Sequence, residues 1–150
     1  MTTINLSNFF LAAQTGNIDV LKFCLENGID IHSHNDLALR KAKENGQVET
    51  VIFLLKNGAN INVFCNDDKL RFSSAIGDYK TVNELLQKNS CSRNAKTYAM
   101  YNAIFYGHTS ITKLLLDNGV SPTDNNGAIL KVLKLCKSDE IIALFEEYLN

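Results

Sequence analysis

The sequence predicts an all-α solenoid of about five stacked helix–turn–helix units with projecting β-turn loops, and three observations carry that expectation. Glycines at 16, 46, 77 and 107 recur every 30 or 31 residues. A second series, Gly28, Gly58 and Gly119, follows the first by twelve residues. Around both series the apolar residues fall three to four apart, the period of a helix with one buried face. Self-similarity at a fixed period of roughly 20 to 50 residues marks an array of small structural repeats, none of which buries its apolar face alone.

The first helix of each repeat, helix A, is read from the columns before the first-series glycine. Seven residues before it stand Phe9, Leu39, Leu70, Met100 and Ile129, and four before it Ala12, Ala42, Ser73, Ala103 and Val132. A large apolar column thus shares a face with a mostly small one, which lets the next helix approach closely. Ten residues before the glycine, Asp36, Asp67 and Thr97, with Asn126 if Cys136 takes the glycine place of a fifth repeat, are expected to act as N-caps. The glycine itself supplies a left-handed C-terminal stop.

Helix B follows, with Ile18, Val48 and Tyr79 at its second position and Leu21, Val51, Val82 and Ile141 at its fifth. Pairs such as Leu54-Leu55, Leu85-Leu86 and Leu115-Leu116 come next, and Asn27-Gly28, Asn57-Gly58 and Asn118-Gly119 end it. In the third repeat Ser90 replaces the glycine, one residue late, so the junction from Gln87 to Asn94 is expected to be a local misfit. The expected organisation is one domain, with repeats at about 5–34, 35–65, 66–95 and 96–124 and a C-terminal cap at 125–150.

Composition narrows the function. The chain has 150 residues, is 45% apolar and carries 15 basic against 16 acidic side chains, so no basic excess draws it to a polyanion and nucleic acid is a poor first guess. Apolar stretches run to five residues, as in Phe9–Ala13 and Val51–Leu55, far short of the roughly 18 needed to span a bilayer. The N-terminus lacks the basic segment and apolar core of a secretory signal. Four cysteines, separated by 41, 26 and 45 residues, give no metal-binding spacing, and Cys24 reads as a small buried hydrophobe.

The repeat resembles the ankyrin repeat, a pair of helices joined by a projecting turn. Residues 36–62 match best, with Ala42 and Gly46 in helix A, Leu54-Leu55 in helix B and the ending Asn57-Gly58-Ala59-Asn60-Ile61-Asn62. Among such arrays the Asn- and Lys-rich character is most similar to those of large DNA viruses of amoebae, with similar ones in intracellular bacteria. The family's Thr-Pro-Leu-His tetrapeptide is missing from every repeat; Asp68-Lys-Leu-Arg71 and Tyr98-Ala-Met-Tyr101 stand in its place. The proposed cap column is expected to replace its helix-starting hydrogen bonds, and His108 matches the family's frequent structural Gly-His.

The resemblance implies a non-enzymatic protein-binding module working through a concave surface of helix A and the loops, an adaptor or effector that engages a host protein in the cytoplasm, as a monomer and without cofactor or metal. The two positions before each first-series glycine are those the family leaves free on that surface. They read Gln14-Thr15, Glu44-Asn45, Ala75-Ile76, Phe105-Tyr106 and Lys134-Leu135. The expected partner-binding residues are therefore Glu44, Asn45, Ile76, Phe105, Tyr106 and Leu135, with Tyr101 nearby. Two readings of the aromatic rings stay open: an exposed hot spot, or rings turned inward to fill space.

An alternative places nucleic acid or a phosphoinositide on a basic stripe of Arg40, Lys41, Lys43, Lys69 and Arg71, against a solvated face neutralised by Glu44, Asp67 and Asp68. A third reading is a self-associating building block. His32, His34 and Cys65 lie in successive loops but lack the partners of a closed metal shell. No phosphate loop or catalytic arrangement stands out, because the glycines follow the repeat. The chain reads as complete, beginning with Asn5, Leu6, Phe9 and Phe10 and ending in a helix with Asp139, Glu140, Glu146 and Glu147 on its polar side, which leaves no room for the C-terminal F-box-like segment of many viral relatives.

Overall fold

A computed structural model describes residues 4–149, the side chains of residues 124–126 excepted. Ten α-helices follow one another as five pairs, with no strand among the described residues. They are α1 (Leu6–Thr15) and α2 (Ile18–Glu26), α3 (Ser33–Glu44) and α4 (Val48–Lys56), α5 (Asn66–Ile76) and α6 (Tyr79–Gln87), α7 (Arg93–Phe105) and α8 (Thr109–Asp117), and α9 (Asp124–Leu133) and α10 (Asp139–Leu149). The odd-numbered helices are the predicted helices A and the even-numbered ones helices B. The chain divides into two compact lobes, Met1–Val63 and Phe64–Asn150.

In the N-terminal lobe α1 packs on α3, and each turns into its own helix B. The small column does what its size allows: Ala12 and Ala42, with Ala38 near them, are buried beside Phe9 and Leu39, so two helix backbones can approach closely. Leu21, Cys24, Val51 and Leu54 fill the B layer, and the Cys24 thiol is pushed up by burial. Burying a Leu or Phe side chain contributes roughly 1.5–3 kcal/mol each, so the helix A columns and the B layer together stabilise the lobe.

The C-terminal lobe repeats the plan. Helices α5, α7 and α9 pack in series, as do α6, α8 and α10. One core runs through all six, from Leu70 and Val82 through Met100, Ala103, Ile111 and Leu115 to Ile129, Ile141 and Phe145. At its end Thr109 donates to Glu140 at 3.3 Å and the Tyr148 hydroxyl donates to Asp117, tying α10 to α8.

Two of the first-series glycines, Gly16 and Gly77, meet a demand the sequence left unstated. At each, the residue after the glycine one repeat later folds back over it. Gln47 donates to the Gln14 carbonyl at 3.4 Å across Gly16, and the His108 Nε2–H donates to the Ala75 carbonyl at 3.0 Å across Gly77. A Cβ on Gly16 would lie 2.5 Å from Gln47 Oε1, and one on Gly77 2.8 Å from His108 Cε1. Both glycines also hold left-handed φ values of 79° and 85°, so space and backbone hand both select glycine. His108 is structural, as its position after Gly107 implied.

The predicted cap column is corrected. The helices A start from Asn5, whose side chain accepts from the Asn8 N–H, and Ser92, which accepts from Ala95; α5 follows Cys65. Thr97 sits inside α7 and donates back to the Arg93 carbonyl at 3.1 Å, as a mid-helix threonine does. Asn126 falls within α9, and its side chain lies outside the described residues. Asp36 and Asp67 instead reach the loop one repeat on. Asp36 is buried and accepts from the Asn60 N–H at 2.8 Å; Asp67 accepts from the Ser92 N–H at 2.8 Å and from its hydroxyl at 2.6 Å. A short-range cap and a long-range loop tie both call for a carboxylate, so residue type alone did not separate them.

Asp36 closes a three-residue left-handed turn at His34, Asn35 and Asp36, with φ between 52° and 57°. Left-handed backbone costs a non-glycine residue roughly 1–2 kcal/mol. The surroundings offset it: Arg40 donates to the His34 and Asn35 carbonyls at 2.9 and 3.2 Å, and His32 faces the Asp36 carboxylate at 3.2 Å. The supposed misfit of the third repeat is also corrected. Asn89, twelve residues after Gly77, holds φ 46° and occupies the left-handed place of Gly28 and Gly58. Asparagine tolerates that region better than other side chains, and the Lys96 ammonium donates to Asn89 Oδ1 at 2.8 Å. The register therefore continues through the repeat, and Ser90 lies one residue beyond the turn.

Candidate partner-binding face

Helix α7 places three aromatic side chains on one side, because Tyr98, Tyr101 and Phe105 are spaced three and four apart. All three are exposed, Phe105 to 57%. The Tyr101 and Phe105 rings stack at 6.1 Å and 8°, and Tyr106 meets Phe105 edge-on at 5.0 Å and 82°. The Tyr98, Tyr101 and Phe105 rings do not turn inward to fill space. The methionine and alanines of the same helix, Ala99, Met100 and Ala103, take the buried side.

Beyond Phe105 a groove of about 460 Å³ is lined by Ile104, Phe105, Tyr106, Val132, Leu135 and Lys137, among others. Leu135 is 76% exposed, while Tyr106 and Ile76 are half-buried. The expected residues of this lobe thus divide: Tyr101, Phe105 and Leu135 offer apolar surface, and Tyr106 and Ile76 support it. Tyr98 was missed. Its signal was present in the Tyr98, Tyr101, Phe105 spacing, which places it one turn before Tyr101 on the same face.

Glu44 and Asn45, in the N-terminal lobe, are exposed at the end of α3, as are Gln14 and Thr15 at the end of α1. Asn45 Nδ2 turns back to the Lys41 carbonyl at 2.9 Å and so is engaged in ending its own helix.

The two arginines of the expected basic stripe are held by their own lobes. Arg40 serves the carbonyls of the left-handed turn. Arg71 pairs with Asp68 at 3.5 Å and lies 4.9 Å over the Tyr98 ring, a cation–π contact that extends the aromatic face onto α5. Asn102 donates to the Arg71 carbonyl at 2.9 Å and fixes α7 against α5. Lys41 and Lys69 are half-buried and Lys43 is exposed.

His34 stands edge-on to Phe10 at 5.4 Å and His32 faces Asp36. Among the described residues no cluster of three His, Cys, Asp or Glu side chains is arranged to hold a metal ion, and no helix is long and apolar enough to cross a membrane.

Residues 4–65 match the family model for ankyrin repeats, three copies. An ankyrin repeat protein of Acanthamoeba polyphaga mimivirus is 27% identical over 151 residues, covering 93% of this chain and 37% of that protein. The chain thus spans little more than a third of its viral relative.

Proposed function

We propose that the chain, whose residues 4–65 match ankyrin repeats, generally protein–protein interaction modules, binds a partner protein through the aromatic face of α7 and the adjoining groove beside Leu135. The exposure of Tyr98, Tyr101 and Phe105 on one helix side supports this reading above any other observation. Large rings left in water are costly to a monomer and favourable at an interface, where such side chains form the anchors. The chain acts as an adaptor or effector without catalysis, and the viral relative favours a host protein as partner and the host cytoplasm as its place of work. Phosphate binding through the Arg40–Arg71 set has less support, because both guanidiniums are committed within their own lobes.

An affinity capture from Acanthamoeba lysate tests it, comparing the native chain with Tyr101→Ala/Phe105→Ala and with Glu44→Ala/Asn45→Ala, each checked for folding by circular dichroism. A specific protein held by the native chain and the acidic-site variant, lost from the aromatic variant and little affected by salt, is the expected outcome. Retention by the aromatic variant overturns the proposal. Loss of binding between roughly 50 and 200 mM salt would point to phosphate contacts instead, and concentration-dependent sedimentation of the chain alone would point to self-association.

A further inference from the structure

Two of the four cysteines stand together in a way the binding face does not use. Cys65 immediately precedes α5, and Cys91 stands two residues before α7, in the next loop of the same lobe. Asp67 clamps these loops through both its bonds to Ser92. The Cys91 thiol lies 3.4 Å from the carbonyl of Asn66, the residue after Cys65, so one sulfur rests against the backbone that carries the other. The remaining cysteines are elsewhere: Cys24 is fully buried in the other lobe, and Cys136 follows α9.

The pair is unequal. Cys65 is exposed, its thiol 3.4 Å from the Asp68 carboxylate. Cys91 is half-buried, and burial pushes its thiol up, with the nearby Asp67 and Cys65 acting in the same direction against a hydrogen bond from Ser90. An exposed thiol next to a slower, shielded one is the arrangement in which the first meets a reagent from solution and the second resolves the product.

We propose that Cys65 and Cys91 form a reversible disulfide site that is oxidised by thiol–disulfide exchange with a small-molecule disulfide. The Cys65 thiolate attacks one sulfur of the reagent, the reagent's S–S bond breaks, and its first half leaves as a thiolate that takes up a proton. The Cys91 thiolate then attacks the Cys65 sulfur, forms the Cys65–Cys91 bond and expels the second half. Two cysteines lose two electrons and two protons, and the small disulfide gains both as two thiols. Closure draws the Cys65 sulfur away from Asp68 towards Cys91 and ties the entry to α5 to the entry to α7, the helix that carries the aromatic face.

The test uses the native full chain, oxidised glutathione as the reagent, alkylation of remaining thiols and peptide mapping by mass spectrometry. Trypsin separates the two sites into peptides 57–69 and 89–93. The native chain is expected to yield these two linked, at least roughly tenfold above any other cysteine pair, with no glutathione retained on either. Cys91→Ser is expected to hold glutathione on Cys65, and Cys65→Ser to lose the link. Stable glutathione on Cys65 of the native chain, links shared evenly among the cysteines, or a link that forms only in urea would each overturn the proposal.

Discussion

The two lobes solve the same packing problem with the same columns and differ where the columns leave a choice. In the N-terminal lobe the positions before the first-series glycines are Gln14, Thr15, Glu44 and Asn45, all polar and exposed. In the C-terminal lobe the corresponding places hold Phe105 and Leu135, and Tyr98 and Tyr101 extend the apolar surface along α7. The buried columns hardly change between them: Phe9 and Leu39 on one side, Leu70, Met100 and Ile129 on the other. In a repeat protein, then, what is repeated builds the stack, and what breaks the repetition on an exposed face is the surface we propose for binding.

Changes in both lobes would break or sharpen that contrast. The largest effect is expected from Tyr101→Ala/Phe105→Ala, which should weaken partner binding by about two orders of magnitude if both rings are anchors and leave the unfolding midpoint little changed, because both rings are exposed; titration calorimetry and urea melts measure the two. Glu44→Ala/Asn45→Ala should alter affinity less than about threefold, in keeping with polar rim positions.

Stability should respond in the opposite places. Asp36→Ala removes the buried carboxylate that holds the Asn60 N–H and is expected to cost about 1 kcal/mol, more than Asp67→Ala, whose carboxylate is less buried. Equal losses in chemical denaturation would mean that burial does not set the strength of the tie. Gly77→Ala places a Cβ against His108 at a left-handed φ, and a loss of about 1–2 kcal/mol is expected.

The smallest effect concerns pH. The Ser92 hydroxyl and N–H hold the Asp67 carboxyl below its ordinary value of 3.8. A carboxyl whose folded pKa is depressed favours folding fully above its unfolded pKa, and that contribution is lost as pH falls through the folded value. Stability should therefore decline below about pH 4 by an increment that Ser92→Ala removes, as thermal melts from pH 6 to pH 2.5 would show.

The helix pairs, their order and their buried columns were legible because each rests on side-chain size repeated at a fixed interval. The exposed apolar residues Tyr101, Phe105 and Leu135 were legible as candidates, since a break in a polar column is visible in the sequence itself. Their exposure was not, because Ala99 and Met100 compete with Tyr98 and Tyr101 for the buried side of α7, and only packing against α5 and α9 decides between them. The tie made by Asp36 escaped the sequence for another reason: its partner is the backbone N–H of Asn60, and every residue but proline has one. The target of Arg40 is likewise two main-chain carbonyls. Asn89 escaped because the Asn-Gly pairs elsewhere drew the alignment one residue towards Ser90, whereas the left-handed turn kept the count of twelve.

The aspartate ties also have a direction in time. Two repeats carry their carboxylate early and find its N–H donor only in the loop that follows, 24 residues later for Asp36 and 25 for Asp67. As the chain leaves the ribosome, helix α3 can form while Asp36 still needs water, and it settles into place once Asn60 has emerged. Growth from the N-terminus is thus gated at these two steps, where a helix pair waits for the start of its successor, and a chain cut between Asp36 and Asn60 would end on a pair that cannot dry its own carboxylate.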